Sequence, residues 1–158
     1  LDTQNSGVNQ AIDKILPNRE DFTNLAREID GYFLDSKKSS DEVFLSDIRF
    51  NAPRLDGKNE FGVLPFSINI SGSEKGFKTF LNYIEQSGDL NDKTRLLDIN
   101  TLNLAYQNEQ TIAPTNADST VGVNLPTETN KTINANINLN AYFQKPLVTT
   151  SPKAQSKS

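Results

Sequence analysis

A change of hydrophobic period between residues 65 and 99 constrains the fold of this 158-residue chain more than any other feature. From residue 66 to 70, apolar and polar side chains alternate, which is typical of a strand with one buried face. From residue 77 to 84, apolar side chains recur at i, i+3, i+4 and i+7, which predicts one buried stripe of a helix. A serine–glycine–serine stretch with a capping-box spacing lies between them, so Ser71 or Ser73 is expected to cap the helix.

The same helical spacing occurs 55 residues earlier, where Phe22 holds the position that Phe77 holds in the later stretch. Residues 22–29 repeat the pattern, with Asn18 as the expected N-cap and Gly31 as the expected end of the helix. Two strand candidates follow each helix. The chain is therefore predicted to contain a weak internal repeat of the order helix, strand, strand.

The first strand candidate, residues 42–50, has apolar side chains on both faces at its start. One face is expected to carry Phe44, Ile48 and Phe50, and the other Val43 and Leu45. Such a pattern indicates either a central strand or a bulged one. In the second candidate, residues 61–70, Pro65 is expected at the start of the strand, at a bulge or on an edge, because proline cannot donate to the sheet.

The last two strand candidates differ in regularity. Residues 95–106 change phase near Asn100 and Thr101, and one extra residue there, a β-bulge, would restore a single apolar face. Residues 133–143 alternate without a break, which requires one buried and one solvated face, as in an antiparallel sheet covered by helices on one side. Residues 107–131, between them, are predicted to form a long hairpin loop.

Together these elements predict an α+β fold of ferredoxin-like type, circularly permuted to αββ-αββ, with a four-stranded antiparallel sheet and two helices on one face. Residues 18–145 would form this domain. Residues 1–17 would be the end of a stalk helix or a flexible N-terminal segment, with Asn5-Ser6-Gly7 arguing against helix before Val8, and residues 146–158 a disordered tail. The expected core consists of Phe22, Leu25, Ile29, Ile48, Phe66, Ile68, Ile70, Phe77, Phe80, Leu81, Ile84, Leu97, Ile99, Ile133, Ile137 and Leu139.

The composition removes several classes of function. The chain has no Cys and no His, which excludes thiolate and imidazole metal sites and the Ser-His-Asp and Cys-His arrangements of hydrolases. Its net charge of −4 argues against a non-specific nucleic-acid binder. No run of about 18 apolar residues is present that would cross a membrane. Because Met is also absent and the chain begins at Leu1, we expect a fragment or a processed product.

Few side chains suggest chemistry. The carboxylate pairs Asp41/Glu42 and Asp89/Asp92 lie in polar loops, where solvated caps and turns are the expected role. No catalytic residue, cofactor or metal site is therefore predicted. Two stretches are instead candidates for partner binding. One is the apolar spacing Val8, Ile12 and Ile15; the other is the uncharged strand face bearing Asn134, Asn136 and Asn138, which is either a solvated face or a docking surface.

The order of motifs resembles a known family. A strand, then S-G-S at 71–73, F-x-x-F-L-x-x-I-E at 77–85 and R-L-L-D-I at 95–99 resemble the PilO family of type IV pilus assembly proteins, and more distantly the M components of type II secretion. The resemblance is tightest over residues 62–106 and looser over 18–145. Its motifs are packing motifs. The long 107–131 segment and the asparagine-rich fourth strand depart from typical members.

The resemblance implies a non-catalytic structural subunit of the pilus inner-membrane alignment complex. It would pair with itself and with a PilN-like subunit, with a PilP-like lipoprotein as a further partner, on the extracytoplasmic, periplasmic side of the inner membrane. A missing N-terminal transmembrane helix would be its only membrane contact, and no nucleic acid is expected. The alternative from another class is a ferredoxin-like small-molecule sensor or regulatory domain, although no glycine-rich ligand loop marks a pocket.

Overall fold

A computed structural model of the chain describes residues 2–36, 42–55, 60–91, 94–108 and 131–145. Within these ranges the fold is α+β, as predicted, with three helices and five strands. The elements in chain order are α1 (Asp2–Ile15), α2 (Phe22–Ser36), β1 (Val43–Phe50), β2 (Arg54–Leu55), β3 (Phe61–Ser73), α3 (Glu74–Glu85), β4 (Leu97–Asn108) and β5 (Lys131–Gln144). Beyond the two helices and four strands expected for the domain, the structure has α1, in the segment expected to be a stalk helix or flexible, and the two-residue strand β2.

The sheet has the order β1-β3-β5-β4, and every described pairing is antiparallel. The long strands β3 and β5 lie at its centre, while β1 and β4 form its edges. The short strand β2 pairs with β3 beyond the end of β1. Each half of the chain therefore supplies a helix, one edge strand and one central strand, in the order that the sequence repeat predicts.

A single hydrophobic core joins α2 and α3 to one face of this sheet. On β5 every second residue from Ile133 to Phe143 is buried, because the strict alternation of the sequence places all its apolar side chains on the helix side. Most of the predicted core is buried; Phe22, Ile48, Leu81 and Ile99 are only partly buried at its margin. The larger core side chains that the sequence reading did not include are Phe33, Val43, Leu64 and Phe143.

The two N-terminal helices differ from expectation at three points. Helix α1 is continuous from Asp2, so the prediction that residues 5–7 exclude helix is wrong. Asp21, not Asn18, occupies the cap position of α2, since its Oδ1 accepts the backbone N–H of Asn24 and helix begins at Phe22. The helix also continues through Gly31 to Ser36; a single glycine costs about 1 kcal/mol in a helix, which the added burial offsets.

Strand β1 is a bulged edge strand rather than a central one. Its register on β3 shifts between Leu45 and Asp47, and the extra residue reverses the facing of the side chains that follow. Val43 and Leu45 therefore share the helix side with the later apolar residues of the strand, and Phe44 lies on the opposite face. The assignment of Phe44 to the same face as Ile48 was wrong for this reason.

The bulge predicted for β4 is confirmed, because its register on β5 shifts between Ile99 and Thr101. The predicted helix cap is also found: Ser73 Oγ accepts the backbone N–H of Gly76 at 3.0 Å. Pro65 was expected at a strand start, at a bulge or on an edge, but it lies inside the central strand β3. It is opposite the point where β1 ends, and its carbonyl accepts the N–H of Asn51 at 2.9 Å. The missing donor of the proline therefore interrupts no ladder between long strands.

The strands bounding the predicted long loop are longer than expected, since β4 reaches Asn108 and β5 begins at Lys131. Residues 109–130 of that loop and the predicted tail 146–158 lie outside the described residues. Among the helices of the described ranges, none combines the length and the apolar character needed to cross a bilayer.

Candidate interaction surfaces

The carboxylates singled out from the sequence are exposed or lie outside the described residues. No group of three His, Cys, Asp or Glu side chains in the described ranges is arranged to hold a metal ion. Of the carboxylate pairs, Asp41 and Asp92 lie outside the described residues. Glu42 and Asp89 are exposed, and Asp89 Oδ1 accepts the N–H of Asn91 at 2.7 Å, which is a turn contact.

The face of the sheet away from the helices is predominantly polar along β5. One row of side chains crosses all four long strands, in the order Asp47, Asn69, Asn136 and Asn103. Within it, Asn136 Nδ2 donates to Asn69 Oδ1 at 2.7 Å, which ties the two central strands together on this face. The row is uncharged from β3 to β4, so the centre of the face presents amides rather than ionic groups.

The charges on this face include Asp98 on β4, opposite Asn140, and a pair on β1. Arg49 lies in the next row, with Ser67 beside it, and its Nε contacts Asp47 Oδ2 at 2.6 Å. The predicted binding residues Asn134, Asn136 and Asn138 all lie on this face and are partly buried. Their side chains thus share one surface, as the alternation required, and their use by a partner remains a prediction.

The apolar residues of helix α1 are partly buried against the domain and partly exposed to solvent. Val8 and Ile12 are 53% and 41% exposed, whereas Ala11 and Ile15 are buried against the domain. Residues 8 and 12 are four apart and lie on the same side of the helix. Ile15 therefore packs inside its own chain, whereas Val8 and Ile12 are exposed. The partner contact expected of these three residues stays a prediction.

The end of α1 is fastened to the sheet through backbone groups. The carbonyl of Ile15 accepts the N–H of Leu96 at 2.9 Å, and the carbonyl of Pro17 accepts the N–H of Gln144 at 2.6 Å. The side chain of Gln144 adds a hydrogen bond from Nε2 to the carbonyl of Leu16 at 2.7 Å. These contacts join α1 to the start of β4 and the end of the central strand β5.

Arg95 is a buried charge that sequence reading did not single out for a role of its own. It is 2% exposed, and its guanidinium donates to the carbonyls of Glu20 at 2.7 Å, Asp21 at 3.4 Å and Tyr142 at 3.3 Å. Burial lowers the pKa of this guanidinium, while the nearby Glu28, Asp21 and Glu20 act to raise it. The available signal was an arginine that opens the otherwise apolar run R-L-L of the family-like motif.

Glu28 on α2 completes this cluster. Its Oε1 accepts the backbone N–H of Arg95 at 3.1 Å and the hydroxyl of Tyr83 at 3.4 Å, so it links α2 to α3 and to the start of β4. Burial first, and then Glu28, raise the pKa of Tyr83. The cluster of Arg95, Glu28 and Tyr83 is therefore a joint between α2, α3 and the start of β4.

A cleft of about 360 Å³ opens beside this joint. Its charged lining residues are Asp13, Lys14, Arg19, Asp21, Glu28 and Arg95. Each of the three guanidinium nitrogens of Arg95 already donates to a main-chain carbonyl. The most buried cation of the cleft is therefore committed to structure, which weakens the case for a ligand here.

Comparison with known proteins returns structures and no sequences. No protein-family model and no curated protein matches the chain. The crystal structure of the type 4 fimbrial biogenesis protein PilO from Pseudomonas aeruginosa matches with a TM-score of 0.50 and 14% identity, covering 91% of this chain and 84% of that chain. A structure "without transmembrane region" from Akkermansia muciniphila matches at TM-score 0.46 and 14% identity, covering 92% and 83%. The resemblance that the sequence motifs indicated is thus confirmed at the level of the fold, which this chain shares with PilO.

Proposed function

We propose that this chain is a non-catalytic structural subunit of the type IV pilus inner-membrane alignment complex, acting through homodimeric and heterodimeric protein contacts. The observation that carries the proposal is the PilO-like fold, which extends over 91% of the chain. The surfaces support it, because the described part of the chain offers exposed apolar side chains on α1 and an amide face on the sheet. We also assign the α2–β1–β3 and α3–β4–β5 halves to a circularly permuted ferredoxin-like domain.

The partners we propose are a second copy of the chain, a PilN-like subunit of similar fold and, more peripherally, a PilP-like lipoprotein. The proposed location is the periplasmic side of the inner membrane. The stripe of Val8 and Ile12 on α1 is suited to helix–helix contact, because two exposed apolar residues four apart lie on one side. The amide face around Asn136 is the second proposed docking surface.

The junction between α1 and the sheet would give such a subunit its mechanical role. Load applied along α1 reaches the sheet at Leu96 and Gln144, through hydrogen bonds from both strands to the carbonyls of residues 15–17. One of these strands, β5, is flanked by β3 and β4 along its length. A force entering there is shared by three strands, which suits coupling between a motor and a fibre.

Cross-linking of the whole protein in cells that assemble pili tests the proposal. A photo-reactive residue at position 12 is expected to capture a PilN-like protein, and one at position 27 on α2 serves as an exposed control. Recovery of soluble cytoplasmic proteins alone would overturn it. Ligand-dependent thermal stabilisation in a metabolite screen, lost on Lys14→Ala in the cleft, would instead favour the sensor alternative.

A further inference from the structure

The outer half of β4 leaves apolar side chains uncovered on the helix side of the sheet. Leu102, Leu104 and Tyr106 are 36%, 40% and 61% exposed. Their direct neighbours on β5, Ile137, Ala135 and Ile133, are at most 4% exposed. The three β4 residues therefore extend the apolar face of the sheet by one strand, beyond the part that the helices cover.

The same strand is an open edge, since β4 pairs only with β5 among the described strands. Its stretch from Thr101 to Gln107 contains no charge, no proline and no glycine. Edge strands without such features are prone to pair with another strand through their free N–H and C=O groups. The opposite edge, β1, is protected by its bulge and by the charged pair Asp47 and Arg49.

The lack of charge bears on which strand would pair there. The chain carries a net charge of −4, so two copies repel one another weakly at long range. In a two-fold contact the residues nearest the axis lie close to their own copies, so a charge there would meet a like charge. An uncharged edge avoids this repulsion, which favours a second copy as the partner.

We propose that two copies of this chain pair antiparallel along β4, around a two-fold axis at Leu104, to form one continuous sheet. In this register Leu104 faces its own copy, and Leu102 faces Tyr106 of the second copy on each side of the axis. Thr101 to Gln107 then pair over roughly 23 Å, and the register avoids the bulge at residue 100. Apolar side chains meet apolar side chains on the helix side, which a one-residue slip would prevent.

The inference deepens the proposed function, on which it rests only for its biological setting. The natural chain has no cysteine, so single-cysteine variants report one contact each. Leu104→Cys is expected to form a disulfide-linked dimer on mild oxidation, because directly opposite Cα atoms lie about 4.5–5.5 Å apart, within disulfide range. Ala105→Cys is the matched control: its own copy would lie two residues off register, beyond the roughly 7 Å limit.

Sedimentation equilibrium of the cysteine-free chain, up to about 1 mM, supplies the second measurement. A dimer is expected that Leu104→Lys weakens at least tenfold, while Thr23→Lys, at an exposed site on α2 outside both proposed docking surfaces, leaves it unchanged. A monomer throughout, a dimer indifferent to Leu104→Lys, or equal cross-linking at positions 104 and 105 would each overturn the inference. If Leu104→Cys forms the cross-linked dimer in cells but no pilus protein is captured, the inferred dimer stands and the proposed function fails.

Discussion

Arg95 Nη2 donates to the main-chain carbonyl of Glu20 at 2.7 Å, which ties the start of β4 to the turn that precedes α2. Arg95→Met keeps the length of the side chain but leaves the carbonyls of Glu20, Asp21 and Tyr142 without this donor. We expect the free energy of unfolding to fall by about 2–4 kcal/mol, because buried polar groups left unpaired keep their desolvation cost. Urea denaturation measures it.

Arg27→Met, on the exposed side of α2, is the control and should change stability by no more than about 0.5 kcal/mol. Equal losses of stability for the two variants would mean that Arg95 contributes through its charge alone and not through its hydrogen bonds to the three carbonyls. Arg95→Lys should lie between wild type and Arg95→Met, because one ammonium group cannot reach three carbonyls that a planar fork reaches.

Two glycines of the chain should respond to alanine in opposite directions. A Cβ on Gly72 would clash with the carbonyl oxygen of Glu42 and lie 2.8 Å from Cα of Val43, both backbone atoms. Gly72→Ala must therefore displace β1, and we expect a loss of about 2–3 kcal/mol. A Cβ on Gly31, inside α2, meets nothing within 4 Å. Gly31→Ala should stabilise the chain by about 0.5–1 kcal/mol.

Differential scanning calorimetry of both variants checks the pair. The same substitution is made in each, so any general effect of alanine on the unfolded chain cancels between them. A Gly72→Ala variant as stable as wild type would show that β1 moves freely against β3, contrary to the tight register between Val43 and Gly72.

The alternation of polar and apolar residues was enough to predict the centre of the fold. Residues 133–143 could satisfy their pattern only as a strand buried on one side, and the Ser73 cap and the β4 bulge followed from equally local rules. The side of the sheet on which Phe44 lies could not be predicted in this way. The bulge after Leu45 reverses the side on which the following residues lie, and the sequence of β1 fits a regular strand as well as a bulged one.

The candidate interaction surfaces were less predictable than the core. The stripe on α1 was recognised, but spacing alone could not tell that Ile15 turns inward while Ile12 stays exposed, since that depends on how the helix docks against β4 and β5. The joint made by Arg95 and Glu28 was missed because its partners are 67 residues apart in sequence. No local rule links positions at that separation.

Tyr83 should make the chain sensitive to alkali. Burial and Glu28 raise its folded-state pKa above the ordinary value of 10.0. Above pH 10 the unfolded chain therefore loses this proton while the folded chain keeps it. The stability from the neutral phenol is fully present below pH 10 and is lost as the pH rises toward the folded pKa. The loss is limited to about 1.4 kcal/mol per pH unit for one group.

Tyr83→Phe should flatten the fall in the free energy of unfolding above pH 10, measured by urea denaturation at stepped pH. Tyr106→Phe makes the same chemical change at a residue that is 61% exposed and should keep the wild-type slope. Identical slopes for wild type and Tyr83→Phe would contradict the assignment.

Ile12 and Ile15 lie one turn apart on α1 and should separate binding from folding. Ile15 is 9% exposed, and its carbonyl anchors Leu96, so Ile15→Ala should lower the free energy of unfolding by about 2 kcal/mol. Ile12 is 41% exposed, and Ile12→Ala should change it by less than about 0.5 kcal/mol while lowering partner capture at least tenfold. Urea denaturation and photo-cross-linking from position 8 measure the two effects on the same proteins. If Ile12→Ala destabilised the chain as much as Ile15→Ala, both residues would serve folding and the exposed stripe would lose its proposed partner.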